Sequence, residues 1–301
     1  MSGSTNPTLE RPRWYVHPYN HANFYRLAEA MSVIPRPLRL SVARAVGRLA
    51  PRFLPAERAA VRQTLKVITG ASGARLDALS VAVFRHFAMC FSDLITANRD
   101  GRPERLLAAV EGEHHLAAIA RDGRGAIVLT AHVGNWELAG RLMALRMGRP
   151  THVVVAPEAD PRVERFLRGG PAPVRFVSRD EPRAALPLVA ALRRGEIVAM
   201  QGDRALGTRG DVGVRFFDAE AAFPLGPFLL ARASSVPVVP AFCVLGRDRR
   251  YTVRVGEPMR VEADGERAAL ERWVGVLERT VRAHPEQWFN FYDVWSPVAA
   301  R

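Results

Sequence analysis

Short apolar runs alternate with amphipathic stretches of helix length from Gly125 onward, and this alternation constrains the fold more than any other feature. The runs have the length of strands rather than of buried helices. Apolar strands that are joined by helices are typical of a largely parallel sheet covered on both faces. The pattern predicts strands at residues 126–130, 152–156, 174–177, 197–201, 236–244 and 251–255.

Helices are predicted between these strands and throughout the first third of the chain. The sequence therefore predicts a single-domain α/β fold, with a largely parallel central sheet flanked by helices and a helical N-terminal layer. Residues 1–15 are expected to be disordered, residues 16–121 to form the helical layer and residues 122–301 to form the α/β core. The predicted helices are residues 36–52, 56–69, 75–98, 103–121, 136–146, 161–167, 182–194, 227–233 and 266–283.

The charge balance indicates an anionic partner. The 301 residues carry a net charge of +13, with an estimated pI of about 11.1. Phosphate-bearing lipid, an acidic carrier protein and nucleic acid all fit that balance. Lys66 is the only lysine among 43 basic residues. Arginine binds phosphate and carboxylate in a bidentate manner, although a GC-rich genome that favours arginine codons is a simpler reason for the preference.

The cysteines and the apolar segments predict where the protein resides. Cys90 and Cys243 both sit in apolar surroundings, which favours buried, unpaired thiols in a reducing compartment, and no cysteine cluster suggests zinc. The first residues lack the apolar core of a secretory signal, and no run of about 18 uninterrupted apolar residues predicts a spanning helix. We expect a cytoplasmic protein, or one that lies on a membrane from its cytoplasmic side.

The segment 36–52 is amphipathic. Its apolar residues Leu38, Val42, Ala45, Val46 and Leu49 share one helical face, and most of its arginines lie on the other face. Such a helix can lie in a membrane interface with its arginines toward anionic headgroups. It can equally be a surface helix that packs on its own domain, and the segment alone does not separate the two.

A histidine and a carboxylate meet at the junction of a predicted strand and a predicted helix. His132 follows the strand 126–130, and Glu137 comes five residues later. On one continuous helix they would lie about 140° apart, but they can meet if His132 precedes the helix and Glu137 lies in its first turn. Gly134 permits the turn, and Asn135 is a good N-cap. The arrangement predicts that His132 is a general base oriented by Glu137; alternatively, Glu137 only complements the helix dipole.

This stretch resembles the H-x4-D/E signature of the lysophospholipid acyltransferase superfamily. It is most similar to the lipid A biosynthesis (lauroyl/myristoyl) acyltransferases and their glycolipid-acylating relatives. The similarity extends over about residues 35–295. Further similar blocks are residues 195–204, the phenylalanine pair of 214–217 with the proline–glycine block of 222–226, the late strand 236–240 and the segment 284–288. The chain departs from the family at Asp218, where glycine is usual, and at residues 14–34, which are too polar for the membrane helix that many members carry.

The resemblance implies transfer of a fatty acyl group to a hydroxyl of a glycolipid, lipid A-like or related lipid. The donor would be the thioester of acyl carrier protein or of coenzyme A, a co-substrate, so no cofactor or metal is expected. Amides near residues 134–136 would hold the oxyanion. Phe216, Phe217 and Phe223 would form core rather than an acyl groove. The predicted substrate-binding residues are Asp203, Arg204, Arg209, Arg168 and Asn135.

Two other functions were weighed on the sequence. The charge alone favours a nucleic-acid-binding protein, but the chain has no zinc-finger spacing and no recognisable RNA-binding signature. A serine-type lipid hydrolase would use a histidine base as well, but no G-x-S-x-G motif is present. The expected partners are therefore a thioester donor, a lipid acceptor and a membrane surface rather than nucleic acid, with the oligomeric state open. The resemblance implies a location in the bacterial cytoplasm, peripheral on the cytoplasmic face of the inner membrane.

Overall fold

A seven-stranded sheet occupies the centre of the computed structural model, which describes residues 22–158, 160–168, 174–181, 185–208 and 210–295. The strand order is β1-β9-β8-β2-β5-β3-β4, and every neighbouring pair is parallel except β8 with β9. The predicted largely parallel sheet is confirmed. The strands are β1 (Leu107–Glu111), β2 (Ala126–Thr130), β3 (Thr151–Val155), β4 (Val174–Ser178), β5 (Ile197–Gln201), β6 (Asp211–Phe216), β7 (Ala219–Pro224), β8 (Val238–Leu245) and β9 (Tyr251–Val255).

Helices cover the sheet, and the first four form the predicted N-terminal layer. In that layer α1, α2 and α3 all pack against the long helix α4. The predicted disorder of residues 1–15 concerns residues outside those described. The helices are α1 (Ala22–Ala30), α2 (Arg36–Leu49), α3 (Pro55–Thr69), α4 (Gly73–Asp100), α5 (Glu113–Arg121), α6 (Trp136–Met147), α7 (Pro161–Arg168), α8 (Ala185–Arg193), α9 (Gly226–Ser234) and α10 (Glu266–Ala283).

The central strands are buried on both faces. Every residue of β2 and of β8 is buried, which follows from their nearly continuous apolar sequences and from helices on either side of the sheet. Trp273 of α10 stacks on Phe242 of β8 within the same core. The middle of the sheet is therefore a rigid platform, and the residues that follow its strands are held in fixed positions.

One predicted helix was wrong. Residues 103–121 were expected to be helical throughout, but β1 interrupts them and pairs with β9. Gly112 then turns the chain at a φ of +75° before α5 begins. The alanines of β1 favour a helix, yet pairing with the edge of the sheet outweighs that weak local preference.

A β-hairpin that was not among the predicted strands follows β5. Strands β6 and β7 pair in antiparallel fashion, and Phe217 and Asp218 form the turn with φ values of +50° and +65°. A two-residue turn of this kind needs positive φ at both positions. Aspartate is one of the few non-glycine residues that adopts such a φ at moderate cost, which explains why Asp218 is tolerated there.

The long helix α4 is apolar enough to cross a membrane by length and composition. The most apolar 18-residue stretch within Gly73–Arg99 has a mean hydropathy of 1.4, and 44% of that stretch is buried inside the protein. A core helix of a soluble protein passes the same test. The inner face of α4 also carries Asp93, which pairs with Arg36 and Arg39 of α2. Here α4 acts as the core of the N-terminal layer.

Candidate active site

His132 and Asp203 lie side by side at the carboxyl edge of the sheet. Strands β2 and β5 are adjacent and parallel, and Thr130 is in register with Gln201. His132 and Asp203 each follow two residues later, so the two strands place them together. The Nδ1 atom of His132 is 2.8 Å from Oδ1 of Asp203, and the backbone amide of His132 donates to Oδ2 at 3.0 Å.

Asp203 is held as a carboxylate that accepts hydrogen bonds at both oxygens. It is fully buried, and the indole Nε1 of Trp288 donates to its Oδ2 at 3.0 Å. Burial acts to raise the pKa of Asp203, but His132, the Arg204 charge and the Trp288 hydrogen bond together hold that pKa below its usual value. Because an ionised carboxylate can only accept, Nδ1 of His132 must carry the ring proton. The lone pair is therefore on Nε2.

The imidazole of His132 is neutral at pH 7. Burial lowers its pKa, the positive charge of Arg204 lowers it further, and Asp203 opposes both effects. In the part of the chain that the structure describes, no hydrogen bond occupies Nε2 of His132 and no serine hydroxyl bonds to the ring. The ring packs on the indole of Trp136, with the centroids 4.7 Å apart. A base in its working protonation state thus borders the cavity at this edge.

The backbone around His132 is fixed from two directions. The amide of Gly134 donates to the carbonyl of Gln287, and the amide of Asn135 donates to the carbonyl of Cys243, both at 2.8 Å. The amide of Phe289 in turn donates to the carbonyl of His132 at 2.8 Å. These bonds already occupy two of the amides that were expected to hold an oxyanion. The amides of the next two residues, at the start of α6, have no partner among the described contacts.

Replacing Gly134 by alanine is expected to lower the free energy of unfolding and to displace His132. Gly134 has a φ of +60°, and a Cβ there would stand 2.0 Å from the carbonyl oxygen of Cys243. Backbone strain together with the clash predicts a loss of at least about 2 kcal/mol in urea denaturation. Gly148→Ala is the matched control, because Gly148 has a φ of +59° with nothing within 4 Å of a Cβ. Equal losses for the two variants would show that the backbone contact with Cys243 is unimportant.

Glu137 is not the carboxylate that orients His132, which corrects the pairing predicted from the spacing. The Nδ1 atom of His132 is occupied by Asp203, whereas Glu137 lies in the first turn of α6 among Arg141, Arg168 and Glu158. Burial raises the pKa of Glu137 to about 7, and the two arginines only partly offset that effect. Glu137 lines the same cavity as His132. A group that is half protonated at neutral pH can donate or accept a hydrogen bond there, so a role at the substrate stays a prediction.

Asn135 serves as an anchor of the loop. It is buried, its Oδ1 caps the amide of Leu138 at 3.4 Å, and its Nδ2 donates to the carbonyl of Cys90 and to the hydroxyl of Tyr251. The N-cap predicted from the sequence is present. Both polar atoms of the Asn135 side chain are hydrogen-bonded within the protein, which leaves no free polar group for the predicted contact with substrate.

The predicted arginines are divided between two sides of the cavity. Arg204 donates to the carbonyl of Phe289 at 2.9 Å and to Oδ1 of Asn290 at 3.1 Å, close enough to His132 to affect its pKa. Arg168 donates to the carbonyl of Ala156 at 2.7 Å. Both arginines line the cavity. Arg209 lies outside the described residues.

The cavity extends from His132 in two directions. On one side it is walled by α1 and α4, through Tyr25, Phe87 and Phe91. On the other side it meets an apolar channel between α6 and the sheet, and Trp136, Glu137 and Arg168 line both spaces. Side chains of the channel include Val128, Ala139, Met143, Val153, Phe176 and Ala199. An apolar channel that begins beside a base suits a long hydrocarbon chain.

The remaining groups near the site are structural. Phe216, Phe217 and Phe223 are buried and contact one another or Trp288, as core residues do. Cys90 also borders the cavity, but burial raises the pKa of its thiol to about 12, which keeps it unreactive. Both cysteines are buried and unpaired, as predicted. Within the described ranges no group of three His, Cys, Asp or Glu side chains could hold a metal.

Comparison with known proteins identifies the family. The model of the bacterial lipid A biosynthesis acyltransferase family matches residues 22–296. The chain belongs to this family. The resemblance predicted from the motifs is therefore confirmed.

Three mycobacterial enzymes are similar to the chain. The phosphatidylinositol mannoside acyltransferases of two Mycobacterium tuberculosis strains are 26% identical to it over 205 residues, 67% of this chain and 64% of theirs. The corresponding enzyme of Mycolicibacterium smegmatis is 24% identical over 199 residues, 65% of this chain and 64% of its own. The match thus spans less than two thirds of the length of these relatives.

Sequence reasoning singled out Asp203 but did not pair it with His132. Asp203 was predicted to bind substrate, whereas the structure pairs it with His132. The available signal was that His132 and Asp203 each stand two residues beyond a predicted strand. That signal becomes decisive only when the two strands are known to be neighbours, which the sequence alone does not reveal.

Proposed function

We propose that the chain transfers a fatty acyl group from an acyl thioester to a hydroxyl of a glycolipid. The observation that carries the proposal is the His132–Asp203 pair, in which Nδ1 is occupied and Nε2 is left for the cavity. An imidazole held in this way is a general base for an alcohol. Membership in the family supports acyl transfer as the reaction, and the similarity to mycobacterial phosphatidylinositol mannoside acyltransferases supports a glycolipid as the acceptor.

The reaction proceeds without a covalent enzyme intermediate. Nε2 of His132 takes the proton of the acceptor hydroxyl while that oxygen attacks the thioester carbon. Collapse of the tetrahedral intermediate forms the ester and breaks the carbon–sulfur bond, and the leaving thiolate takes the proton back from Nε2. Asp203 keeps its negative charge throughout, holds the tautomer and stabilises the imidazolium. No other proton carrier is required.

The oxyanion is held by the start of α6. The amides of Trp136 and Glu137 belong to the first turn, where helix amides lack intrahelical partners. Donors of this kind, together with the helix dipole, stabilise negative charge that develops beside them. The other predicted donors, the amides of Gly134 and Asn135, already bond to the carbonyls of Gln287 and Cys243. The amides of the first turn are therefore the ones that stabilise the oxyanion.

The fatty chain occupies the apolar channel between α6 and the sheet, and the polar parts of the substrates lie on the side of His132. Arg168 and Arg204 line the cavity beside the base and are positioned to bind phosphate of the donor or of the acceptor. Arg209, which lies outside the described residues, stays a predicted phosphate ligand on the basis of the family resemblance alone. The strongly basic chain suits the acidic surface of an acyl carrier protein, and it suits the phosphates of coenzyme A as well.

The proposal is tested by measuring acyl transfer with the purified chain. Palmitoyl-coenzyme A and palmitoyl–acyl carrier protein are each supplied with a phosphatidylinositol mannoside acceptor, and thiol release is followed together with the acylated lipid. Equal release of thiol and formation of lipid ester is the expected result. Thiol release without lipid ester would show a thioesterase instead. No turnover of either donor with this acceptor would remove the glycolipid acyl transfer proposed here.

The pH dependence should follow the pKa of His132. Because the base must be unprotonated, kcat/KM should rise with pH through the pKa of His132, with a midpoint below the ordinary value of about 6.5. Arg204→Gln removes a positive charge that lowers this pKa, so the acid limb should move to higher pH. The measurement is a pH profile of kcat/KM for both proteins, with circular dichroism to check the fold. A limb that stays in place would show that Arg204 does not act on His132.

A further inference from the structure

Helix α2 packs on α4 through a face that is not its apolar one. The buried residues of α2 are Arg39, Leu40 and Gly47. A Cβ at Gly47 would stand 2.6 Å from the carbonyl oxygen of Phe84, so the two helices approach closely there. Arg39 also donates to Asp93 of α4. The packed side of α2 thus consists of Leu40, a small residue and a buried ion pair, and Leu38, Val42, Val46 and Leu49 lie outside it.

That apolar face is exposed. Leu38, Val42, Val46 and Leu49 recur on one side of α2, and Phe53 follows the helix; we call these five residues the α2 stripe. Leu38 is 58% exposed, Val46 50% and Phe53 79%. Monomeric soluble proteins rarely leave a contiguous patch of large apolar side chains in water. The stripe is therefore a surface that another body covers.

Two arginines lie on the exposed polar side of α2, next to the α2 stripe. Arg44 and Arg48 are exposed on α2, and in the part of the chain that the structure describes neither forms an ion pair. Arg85 of α4 is close to this helix, since a Cβ at Gly47 would stand 2.7 Å from the Cα of Arg85. Burial lowers the pKa of Arg85, and the nearby charges of Arg44 and Arg48 lower that pKa further. The Nε atom of Arg85 is buried without a hydrogen-bond partner among those residues. Three adjoining cations favour an anionic occupant rich in phosphate.

The α2 stripe also belongs to the layer that walls the cavity. Helices α1 and α2 both pack on α4. Tyr25 of α1 and Phe87 and Phe91 of α4 line the cavity that contains His132. A body that covers α2 therefore lies against the same layer of helices through which a lipid would reach the site.

We propose that the α2 stripe docks the protein onto an anionic lipid bilayer. Its leucines, valines and phenylalanine enter the boundary of the acyl chains, while Arg44, Arg48 and Arg85 contact lipid phosphates. The proposal rests on the proposed function only because a lipid acceptor resides in a bilayer. A second copy of the chain is disfavoured, because a two-fold contact through the stripe would bring two clusters of like charge together.

The test measures binding to vesicles with no substrate present, so its outcome is independent of acyl transfer. The full chain is sedimented with vesicles of phosphatidylcholine alone and with vesicles of phosphatidylcholine and phosphatidylglycerol. The stripe variant is Leu38→Ser/Val46→Ser/Leu49→Ser. The matched control Leu145→Ser/Leu186→Ser/Leu229→Ser removes three exposed apolar side chains from other helices. Circular dichroism and thermal melting check that both variants fold.

We expect the stripe variant to lose roughly tenfold or more in partitioning to the mixed vesicles, and the control to bind like the original chain. Arg44→Gln and Arg48→Gln should each cost about fivefold on the mixed vesicles only. Equal binding by the stripe variant and the original chain would overturn the proposal. The proposal would also be overturned if light scattering showed a dimer of the original chain that the stripe substitutions convert to a monomer. A stripe variant that loses binding to acyl carrier protein but still binds vesicles would overturn it as well.

Discussion

Replacing His132 by glutamine is expected to lower kcat/KM for acyl transfer by roughly 10²- to 10⁴-fold, the range in which a positioned general base contributes. Glutamine is close to histidine in size, and its amide can donate to Asp203, which lies 2.8 Å from Nδ1 in the structure. The variant should therefore fold, but it has no group that takes a proton from a hydroxyl. The measurement is steady-state transfer with a saturating thioester donor.

His152→Gln is the control for this substitution. His152 lies on β3, and its Nε2 contacts Oε2 of Glu196 at 2.6 Å, near the opposite end of the strands. Glutamine there can keep a hydrogen bond to Glu196, so transfer should proceed at nearly the original rate. If His132→Gln retained more than about a tenth of the activity, the assignment of His132 as the base would fail.

Replacing Asp203 by asparagine is expected to lower kcat by about 10³- to 10⁴-fold, because the substitution inverts the tautomer of His132. Oδ2 of Asp203 accepts from the amide of His132 and from Nε1 of Trp288. The single oxygen of asparagine must serve those two donors, which turns its NH2 group toward Nδ1 of His132. Nδ1 must then accept, and the ring proton moves to Nε2, where the lone pair is needed. The fold should persist because the side chain keeps its shape.

The pH profile separates Asp203 from Glu137 as the partner of His132. The negative charge of Asp203 raises the pKa of His132 against the effects of burial and Arg204, so Asp203→Asn should move the acid limb of kcat/KM to lower pH. Glu137 does not hydrogen-bond the ring, and Glu137→Gln should leave that limb in place whatever it costs in rate. A limb that moves with Glu137→Gln and not with Asp203→Asn would restore the pairing inferred from the sequence spacing.

The sequence predicted the elements of the fold well where local pattern and tertiary environment agree. Strand β2 is buried along its whole length and β5 over its first three residues, and both are apolar up to their last residue, so the local sequence carries the signal. The strand β1 was missed because its alanines favour a helix and only pairing with β9 makes it a strand. The α2 stripe was recognised as apolar, but whether it was packed or exposed depended on Gly47 and the close approach of α4.

The site shows the same division. The sequence by itself determined that a histidine follows a strand and that a glycine and an asparagine turn the chain into a helix, because these features are encoded within a few consecutive residues. It also determined the resemblance to the acyltransferase family, through short motifs spread over about residues 35–295. Only the tertiary structure decided which carboxylate orients His132. Glu137 is five residues away along the chain, but Asp203 is adjacent in space because β2 and β5 are neighbours in register. Strand order is set by packing across the whole sheet, and no local stretch of sequence contains it.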